Sequence, residues 1–294
     1  MSAIREDLVA TCWTSAGDVL PAAPSELSPF SVAERVDAVA EAGFTGMGFV
    51  YDDLAAIRRE MGFEALRALA ERAGIRHLEV ELAGDWWQDP AVVPWRERWE
   101  LLLEAARALG SPFIKIGTSF GEPAESVDSF VDPLRRLADE AADAGTRVAL
   151  EPLPFALIAS MPQGAELMRR AGHEHAGLVV DYWHVFRAGT TLAELAAALD
   201  AGMVFGVELD DADAEPAAGA TLFEDTRDNR RYPGEGAFDV PGFIRTMADI
   251  GFAGPWGVEM LSVAHRALPL RDGLQRAHDT ALRCIRQAQG APGA

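Results

Sequence analysis

Four carboxylates follow short apolar runs in the second half of the chain. They are Glu151 after VAL, Asp181 after LVV, Glu208 after FGV and Glu259 after WGV. An apolar run before each acid indicates a carboxylate held where water is partly excluded. Carboxylates that converge in such a place must be protonated, paired with arginine or neutralised by a cation. Oxygen ligands suit hard cations such as Mg2+ and Mn2+ better than zinc.

A single acid at the end of a strand commonly caps the next helix or hydrogen-bonds a loop, so each of these residues has an equally good structural explanation. Four acids at equivalent positions favour a shared site. The sequence therefore predicts a divalent-metal centre, provided that the chain brings the ends of these four strands together.

A repeated unit is available to do so: an amphipathic helix rich in Ala, Leu, Arg and Glu, then a glycine, then a short apolar strand. Glycine suits the end of a helix because the backbone there often becomes left-handed. The helix-ending glycines are Gly43, Gly74, Gly110, Gly145, Gly202 and Gly251. The apolar runs begin near residues 7, 44, 77, 112, 147, 177, 203 and 255. Eight strands alternating with helices predict parallel βα units.

The predicted fold class is α/β, a closed (β/α)8 TIM barrel. The 294 residues are 49% hydrophobic and are predicted to form one domain, 1–294, with a tail that is expected to fray at about 290–294. An open doubly wound sheet would give the same pattern, but no GxGxxG or GxxxxGK[ST] motif follows the first strand. In a TIM barrel the functional residues lie at the C-terminal ends of the strands.

Composition excludes several classes of partner. The net charge of −20 disfavours nucleic acid and anionic membrane surfaces. Neither a signal peptide nor an 18-residue apolar stretch is present, so a cytoplasmic location is expected. The two cysteines, Cys12 and Cys284, are far apart in sequence, which supports neither a disulfide framework nor a zinc–thiolate site.

Four motifs lie at or after the predicted strands: LEPLP with Glu151, DYWH with Asp181 and His184, RRYPGEG at 230–236, and GFAGPWGVEML with Glu259. In these motifs the chain resembles the sugar phosphate isomerase/epimerase superfamily. These xylose-isomerase-like TIM barrels include ketose 3-epimerases, hydroxypyruvate isomerases and inosose dehydratases. The resemblance covers nearly the whole chain.

The resemblance implies a divalent-metal site, with Mn2+ or Mg2+ expected and Co2+ as an alternative. The implied ligands are Glu151, Asp181, Glu208 and Glu259. One position departs from the family, whose seventh strand reads V-H-x-x-D where this chain reads VELDD. Glu208 stands where the family has its histidine ligand, so the metal is either retained with a more negative site or altered.

The activity that the resemblance implies is isomerisation or epimerisation of a small sugar or a sugar-derived keto compound. Glu151 and Glu259 would act as acid and base on an enediolate. The alternatives are a lyase of the same superfamily, either an inosose-type dehydratase or an enzyme that cleaves a keto-glycoside by elimination, and a catalytically altered sugar-binding or partner subunit. A DNA-repair endonuclease shares this barrel but needs a histidine-rich zinc cluster and a basic groove, which this sequence lacks. Family members often form homodimers.

Six further residues are predicted to contact the substrate, each with a structural alternative. They are a histidine one helical turn beyond Asp181, the two arginines of the RRYPGEG motif, a glutamate near the end of the third strand, and two tryptophans at or after strand ends. Each could instead serve packing or a surface ion pair. The six are His184, Arg230, Arg231, Glu81, Trp13 and Trp86. Lys115, the only lysine, would need a carboxylate partner if it faces the barrel interior.

Overall fold

A computed structural model describes residues 4–290 and shows a closed parallel barrel of eight strands. Each strand pairs with the next in sequence, and β1 pairs with β8 to close the barrel. The strands are β1 Leu8–Ala10, β2 Gly46–Val50, β3 His77–Ala83, β4 Ile114–Ile116, β5 Val148–Leu150, β6 Ala176–Asp181, β7 Val204–Leu209 and β8 Trp256–Val258. The predicted TIM barrel is thereby confirmed, and the open-sheet alternative is wrong.

Thirteen helices in the described range surround the strands or lie in the loops above them. They are α1 Cys12–Ser15, α2 Val32–Glu41, α3 Tyr51–Glu60, α4 Phe63–Arg72, α5 Arg96–Leu109, α6 Asp128–Asp143, α7 Met161–Ala171, α8 Tyr182–Arg187, α9 Leu192–Ala198, α10 Leu222–Asp228, α11 Val240–Ile250, α12 Val263–Arg266 and α13 Leu270–Gly290. A 3-10 turn, Ala201–Met203, precedes β7. Within residues 4–290 no helix combines the length and hydropathy needed to cross a membrane.

The helix boundaries follow local sequence rules. Ser31 caps α2 and Thr191 caps α9, each in a capping box. The hydroxyl of the cap residue accepts from the backbone N–H of the glutamate three residues later, and the carboxylate of that glutamate accepts from the backbone N–H of the cap residue. Gly110 and Gly172 end α5 and α7 in the left-handed conformation. The predicted tail at 290–294 lies outside the described residues, except for Gly290 at the end of α13.

The barrel interior is built in layers. Phe113, Ala149 and Val179 form a small buried cluster, against which Phe205 packs. Because side chains alternate along a strand, the residues two positions further on, Lys115, Glu151 and Asp181, face the same interior one layer higher. A charged layer therefore lies directly above an apolar one, at the C-terminal ends of the strands.

Glycine makes room for the charged layer on β8. A Cβ atom built on Gly257 would lie 2.9 Å from Cγ of Glu208 and 3.0 Å from the carbonyl oxygen of Val207. No larger residue fits there without displacing the Glu208 side chain or the backbone of β7. In the WGVE sequence, Gly257 therefore leaves room for the Glu208 side chain of β7, and Glu259 adds a second acid to the charged layer.

Candidate active site

The acids at the strand ends converge, as the sequence predicts, but a lysine lies among them. The Lys115 side chain is only 1% exposed on β4. Its Nζ lies 2.6 Å from Glu208 Oε1, 3.2 Å from Glu81 Oε2, 3.4 Å from Glu259 Oε1 and 3.8 Å from Glu151 Oε2. One ammonium group therefore contacts four glutamates from four strand ends.

Arg230 is a second buried cation, on the opposite side of Glu259. Its guanidinium donates to Asp181 Oδ2 at 2.6 Å and to Asp210 Oδ2, and lies 3.1 Å from Glu259 Oε2. Thr226 Oγ1 accepts two further hydrogen bonds from it. The remaining contact of the guanidinium is with His184 Nε2 at 3.3 Å, so all three of its nitrogens have partners. Arg230 is therefore a rigid part of the site.

The RRYPGEG loop delivers Arg230 through backbone pairing. Residues Asp211 and Arg231 form an antiparallel bridge, so the chain after α10 returns alongside the end of β7. The Asp211 carboxylate accepts hydrogen bonds from the backbone N–H groups of Gly234, Gly236 and Phe238. A Cβ on Gly236 would lie 2.3 Å from the carbonyl oxygen of Ala212. Gly236 is thus required by close packing around Asp211, and Gly234 has a φ of 77°, which favours glycine.

His184 is positioned by Asp181 at the start of α8. The Asp181 carboxylate accepts from the His184 backbone N–H at 2.9 Å, so this acid does cap a helix as well as facing the site. The cap places the imidazole over the site, with Nε2 3.5 Å from Glu151 Oε1. Both Glu151 Oε1 and His184 Nδ1 are buried without a hydrogen-bond partner among the described residues.

Three carboxylates and one imidazole fit a divalent cation. Glu151, Asp181, His184 and Glu259 each offer a ligand atom, and these atoms lie within 4.8 Å of one another. Buried oxygen and nitrogen atoms without partners, such as Glu151 Oε1, are costly unless a ligand or proton satisfies them. Mixed carboxylate and imidazole sets accept Mn2+, Zn2+ and related ions. Glu208 lies outside this group of four: its Oε1 accepts from Lys115 at 2.6 Å, and its Oε2 is buried without a hydrogen-bond partner among the described residues.

The charges of the layer do not balance. Six buried acids, Glu81, Glu151, Asp181, Glu208, Asp210 and Glu259, surround two permanent cations, so four acids lack a cation of their own. Two positive charges from a divalent ion, or protons on some of the acids, would reduce this excess.

The environment shifts the pKa values of the two proposed proton-transfer residues in opposite directions. Burial acts to raise the pKa of Glu151, but the Lys115 ammonium and the neighbouring His184 imidazole outweigh it and hold that pKa below its usual value. Burial raises the pKa of Glu259, and Lys115 and Arg230 only partly offset this. Without a bound ion, Glu151 is the stronger candidate for a base and Glu259 for an acid.

Glu81 gives the site a pH dependence. Burial raises its pKa from 4.5 to about 7, although Lys115 opposes the shift. Between these values the folded protein holds a proton that the unfolded chain releases, so stability falls as pH rises. We expect Glu81 to contribute about 2–3 kcal/mol to the fall in the free energy of unfolding of the chelated protein between pH 5 and pH 7.5. Urea denaturation measures this, and the fall should be smaller by that amount in Glu81→Gln, whereas an equal fall in that variant would contradict the assignment.

A cavity of about 690 Å3 opens above the charged layer. Of the predicted substrate contacts, Trp13, Glu81, His184 and Arg230 line it. The cavity has the size typical of small-molecule sites.

Two predicted contacts lie elsewhere. Arg231 points to the surface, where its guanidinium pairs with Asp213 at 2.7 Å, because the backbone bridge turns alternate residues to opposite sides. Trp86 is buried outside the cavity lining; its indole N–H donates to the carbonyl of Gly117 at 2.8 Å, and its ring packs against Phe130. The structure brings neither residue to the site.

Several site residues were not identified from the sequence. Asp210 precedes the motif aspartate Asp211 and takes the side of β7 that faces Arg230. Three phenylalanines at the cavity rim, Phe120, Phe155 and Phe223, belong to loops after β4, β5 and β7. Phe120 lies four residues after the end of β4, and Phe155 lies five residues after the end of β5. This closeness to a strand end could have predicted that both lie at the mouth of the barrel.

The model of the family described as xylose isomerase-like TIM barrel matches residues 36–284. The chain belongs to this family. The resemblance stated from the strand-end motifs is thereby confirmed.

Curated relatives of this barrel include enzymes of two classes. A 3-dehydroshikimate dehydratase of Pseudomonas aeruginosa is 28% identical over 257 residues, which is 83% of this chain and 39% of the relative. An inosose isomerase of Halalkalibacterium halodurans is 25% identical over 190 residues, which is 63% of this chain and 65% of the relative. The chain thus spans less than two thirds of each relative's length.

A solved structure with the same fold is that of the IOLI protein with a bound zinc atom. It is 19% identical, has a TM-score of 0.81, and matches 96% of this chain and 99% of its own. This likeness shows the shared barrel.

Proposed function

We propose that this xylose-isomerase-like barrel is a divalent-metal-dependent isomerase or epimerase of a keto sugar or a polyol-derived ketone. The observation that carries the proposal is the group of Glu151, Asp181, His184 and Glu259, whose ligand atoms lie within 4.8 Å of one another. All but Asp181 also line the cavity. The inosose isomerase relative supports a polyol-derived ketone as substrate.

The same four residues would hold the metal. When bound, a divalent ion supplies Lewis-acid stabilisation of the negative charge that develops on neighbouring substrate oxygens. The zinc of the similar IOLI structure supports a divalent ion, with Mn2+ or Mg2+ as our expectation for so many carboxylates. His184 then takes the place of Glu208 in the ligand set proposed from the sequence, because the His184 imidazole lies within 4.8 Å of the other three ligand atoms and Glu208 is not part of that group.

Proton transfer is assigned to Glu151 and Glu259. Both line the cavity, from strand ends that are separated around the barrel, so a substrate between them would present a carbon to each. One glutamate removes the proton next to the carbonyl, and the other returns a proton. Arg230 contacts both Asp181 and Glu259 and would hold these two carboxylates in place.

A lyase is the second candidate, because the 3-dehydroshikimate dehydratase relative matches 83% of this chain. The first step would be the same removal of a proton beside a carbonyl. The outcome differs only afterwards, when hydroxide or an alcohol leaves instead of a proton returning. Appearance of a conjugated, unsaturated ketone during turnover would identify this outcome by its ultraviolet absorbance.

Metal content tests the proposed site. After chelation and reloading with Mn2+, we expect about one ion per chain and a higher melting temperature, because binding to the folded state alone stabilises it. His184→Gln should lower the Mn2+ affinity at least about tenfold, since an imidazole ligand is lost. Glu208→Gln should leave the affinity nearly unchanged.

The matched control is Glu79→Gln, a buried β3 glutamate that pairs with His77 outside the cavity. If Glu208→Gln loses the ion and His184→Gln keeps it, the ligand set with Glu208 is correct instead. If wild type binds no divalent ion and does not exchange substrate C–H protons with solvent, the proposed function fails.

A further inference from the structure

The rim of the cavity carries an aromatic cluster on one side. The ring centroid of Phe120 lies 5.0 Å from that of Phe155 and 4.9 Å from that of Phe223. The centroids of Phe155 and Phe223 are 5.8 Å apart. All three line the cavity. Phe120 remains 55% exposed, an unusually large value for a phenylalanine at the mouth of an acidic pocket. We call these three residues the aromatic rim.

The aromatic rim is held in place by backbone hydrogen bonds. The loops that follow β4 and β5 form a bridge between Phe120 and Ala156, with Gly121 N–H donating to the Phe155 carbonyl at 3.0 Å. Phe223 lies in the first turn of α10, whose start is fixed by the Thr221 capping box. The rings are therefore preorganised, and a ligand ring would stack on them with little loss of side-chain freedom.

The aromatic rim is continuous with the charged floor. The rings of Phe155 and His184 have centroids 6.1 Å apart in an edge-on arrangement. A ligand whose polar part lies at Glu151 would therefore place a group attached to that part against the phenylalanines. Phenylalanine faces favour aromatic rings through stacking and edge contacts.

Acids outnumber cations among the described residues that line the cavity. Arg230 is bound to acids, and Arg98 lies 4.1 Å over the ring of Tyr51 with Glu26 and Asp52 also at the wall. A phosphate or carboxylate on the substrate would meet an excess of negative charge, because six acids line the cavity with these two arginines: Glu26, Asp52, Glu81, Asp85, Glu151 and Glu259.

We propose that the substrate is an uncharged keto sugar or keto polyol that carries an aromatic ring, and that the aromatic rim binds this ring. The inference rests on the proposed function, since it places the polar part of the substrate at the four-residue group. Phe120, Phe155 and Phe223 are then specificity-determining residues. They do not take part in proton transfer.

Binding of simple glycosides tests this proposal. The probes are phenyl β-D-glucopyranoside, methyl β-D-glucopyranoside and glucose 6-phosphate, titrated into the Mn2+-loaded protein by calorimetry. We expect the phenyl compound to bind about tenfold more tightly than the methyl compound, as one or two aromatic contacts would give. Glucose 6-phosphate should bind more weakly than methyl β-D-glucopyranoside.

Phe120→Leu/Phe223→Leu is expected to reduce the phenyl-over-methyl preference to about twofold, because leucine keeps the apolar surface but removes the rings. Val263→Ala, an exposed apolar residue outside the lining of this cavity, should leave the preference unchanged. Equal binding of the two glycosides by wild type would overturn the proposal, as would a preference that survives in the double variant. If the double variant keeps the preference but changes its oligomeric state, the aromatic rim mediates contacts between chains, and the proposal is also overturned.

The two proposals fail separately. Metal binding and solvent exchange of small keto sugars, without any phenyl preference, would remove the aromatic substrate and keep the proposed function. A phenyl preference in a protein that binds no divalent ion and exchanges no protons would remove the proposed function.

Discussion

Replacement of Glu259 by glutamine is expected to lower kcat for the isomerisation by about 10²- to 10⁴-fold, the usual contribution of one acid–base residue. The glutamine side chain keeps an oxygen that can contact a cation, but its amide cannot donate or accept the transferred proton as a carboxyl group does. Arg230 would still contact the amide oxygen, so the fold and the position of the side chain should be retained. Steady-state rates at saturating Mn2+ measure the effect.

Solvent deuterium distinguishes the roles of the two glutamates. In Glu259→Gln, Glu151 can still remove and return a proton on its own side, so deuterium should enter the substrate without net conversion. In Glu151→Gln that exchange should fall to the background rate, because the proposed base is gone. The reverse pattern would exchange the two assignments. Near-normal turnover in both variants would exclude both residues from proton transfer, and Glu79→Gln provides the matched background.

The barrel and its strand-end acids could be predicted because both depend on local, periodic sequence features. A glycine after each helix and an apolar run before each acid fix the element order, and side-chain alternation fixes which residues face inwards. Glu151 and Glu259 directly follow β5 and β8 in the structure, and Asp181 is the last residue of β6. These positions need no knowledge of distant contacts.

The partners of the acids could not be predicted, because they depend on register and reach between distant residues. Lys115 is 93 residues from Glu208 and 144 from Glu259, and only the closed barrel brings its ammonium between them. The choice between Arg230 and Arg231 depends on a single antiparallel bridge that turns one inwards and the other outwards. Sequence alone gave no means to separate two adjacent arginines.

The aromatic rim was missed for a related reason. Phe120, Phe155 and Phe223 come from three loops, and each is unremarkable in its own segment. They form a cluster only when the loops after β4 and β5 pair and α10 packs beside them. Loop positions of this kind vary more freely than strands and follow no periodic pattern.

Replacement of Lys115 by methionine is expected to have the largest effect on stability. The methionine fills a similar volume but leaves four buried glutamates without their shared cation. Removing one partner from a buried ion pair commonly costs 3–5 kcal/mol, and protonation of the glutamates would reduce the loss. We expect the free energy of unfolding of the chelated protein to fall by about 3 kcal/mol at pH 8 and by less at pH 5, as measured by urea denaturation.

Two comparisons separate the loss of charge from a simple packing defect. Added Mn2+ should stabilise Lys115→Met more than wild type, because the ion would supply positive charge to the same acids. In Lys115→Met/Glu208→Gln the acid nearest the lost ammonium, at 2.6 Å in wild type, is neutral, so part of the stability should return. A packing defect would respond to neither change, and an equal loss of stability at pH 5 and pH 8 would show that the lysine acts through its volume. If charge is the cause, Lys115 and the divalent ion neutralise one shared set of carboxylates, and Glu208 is the member of that set that the lysine holds.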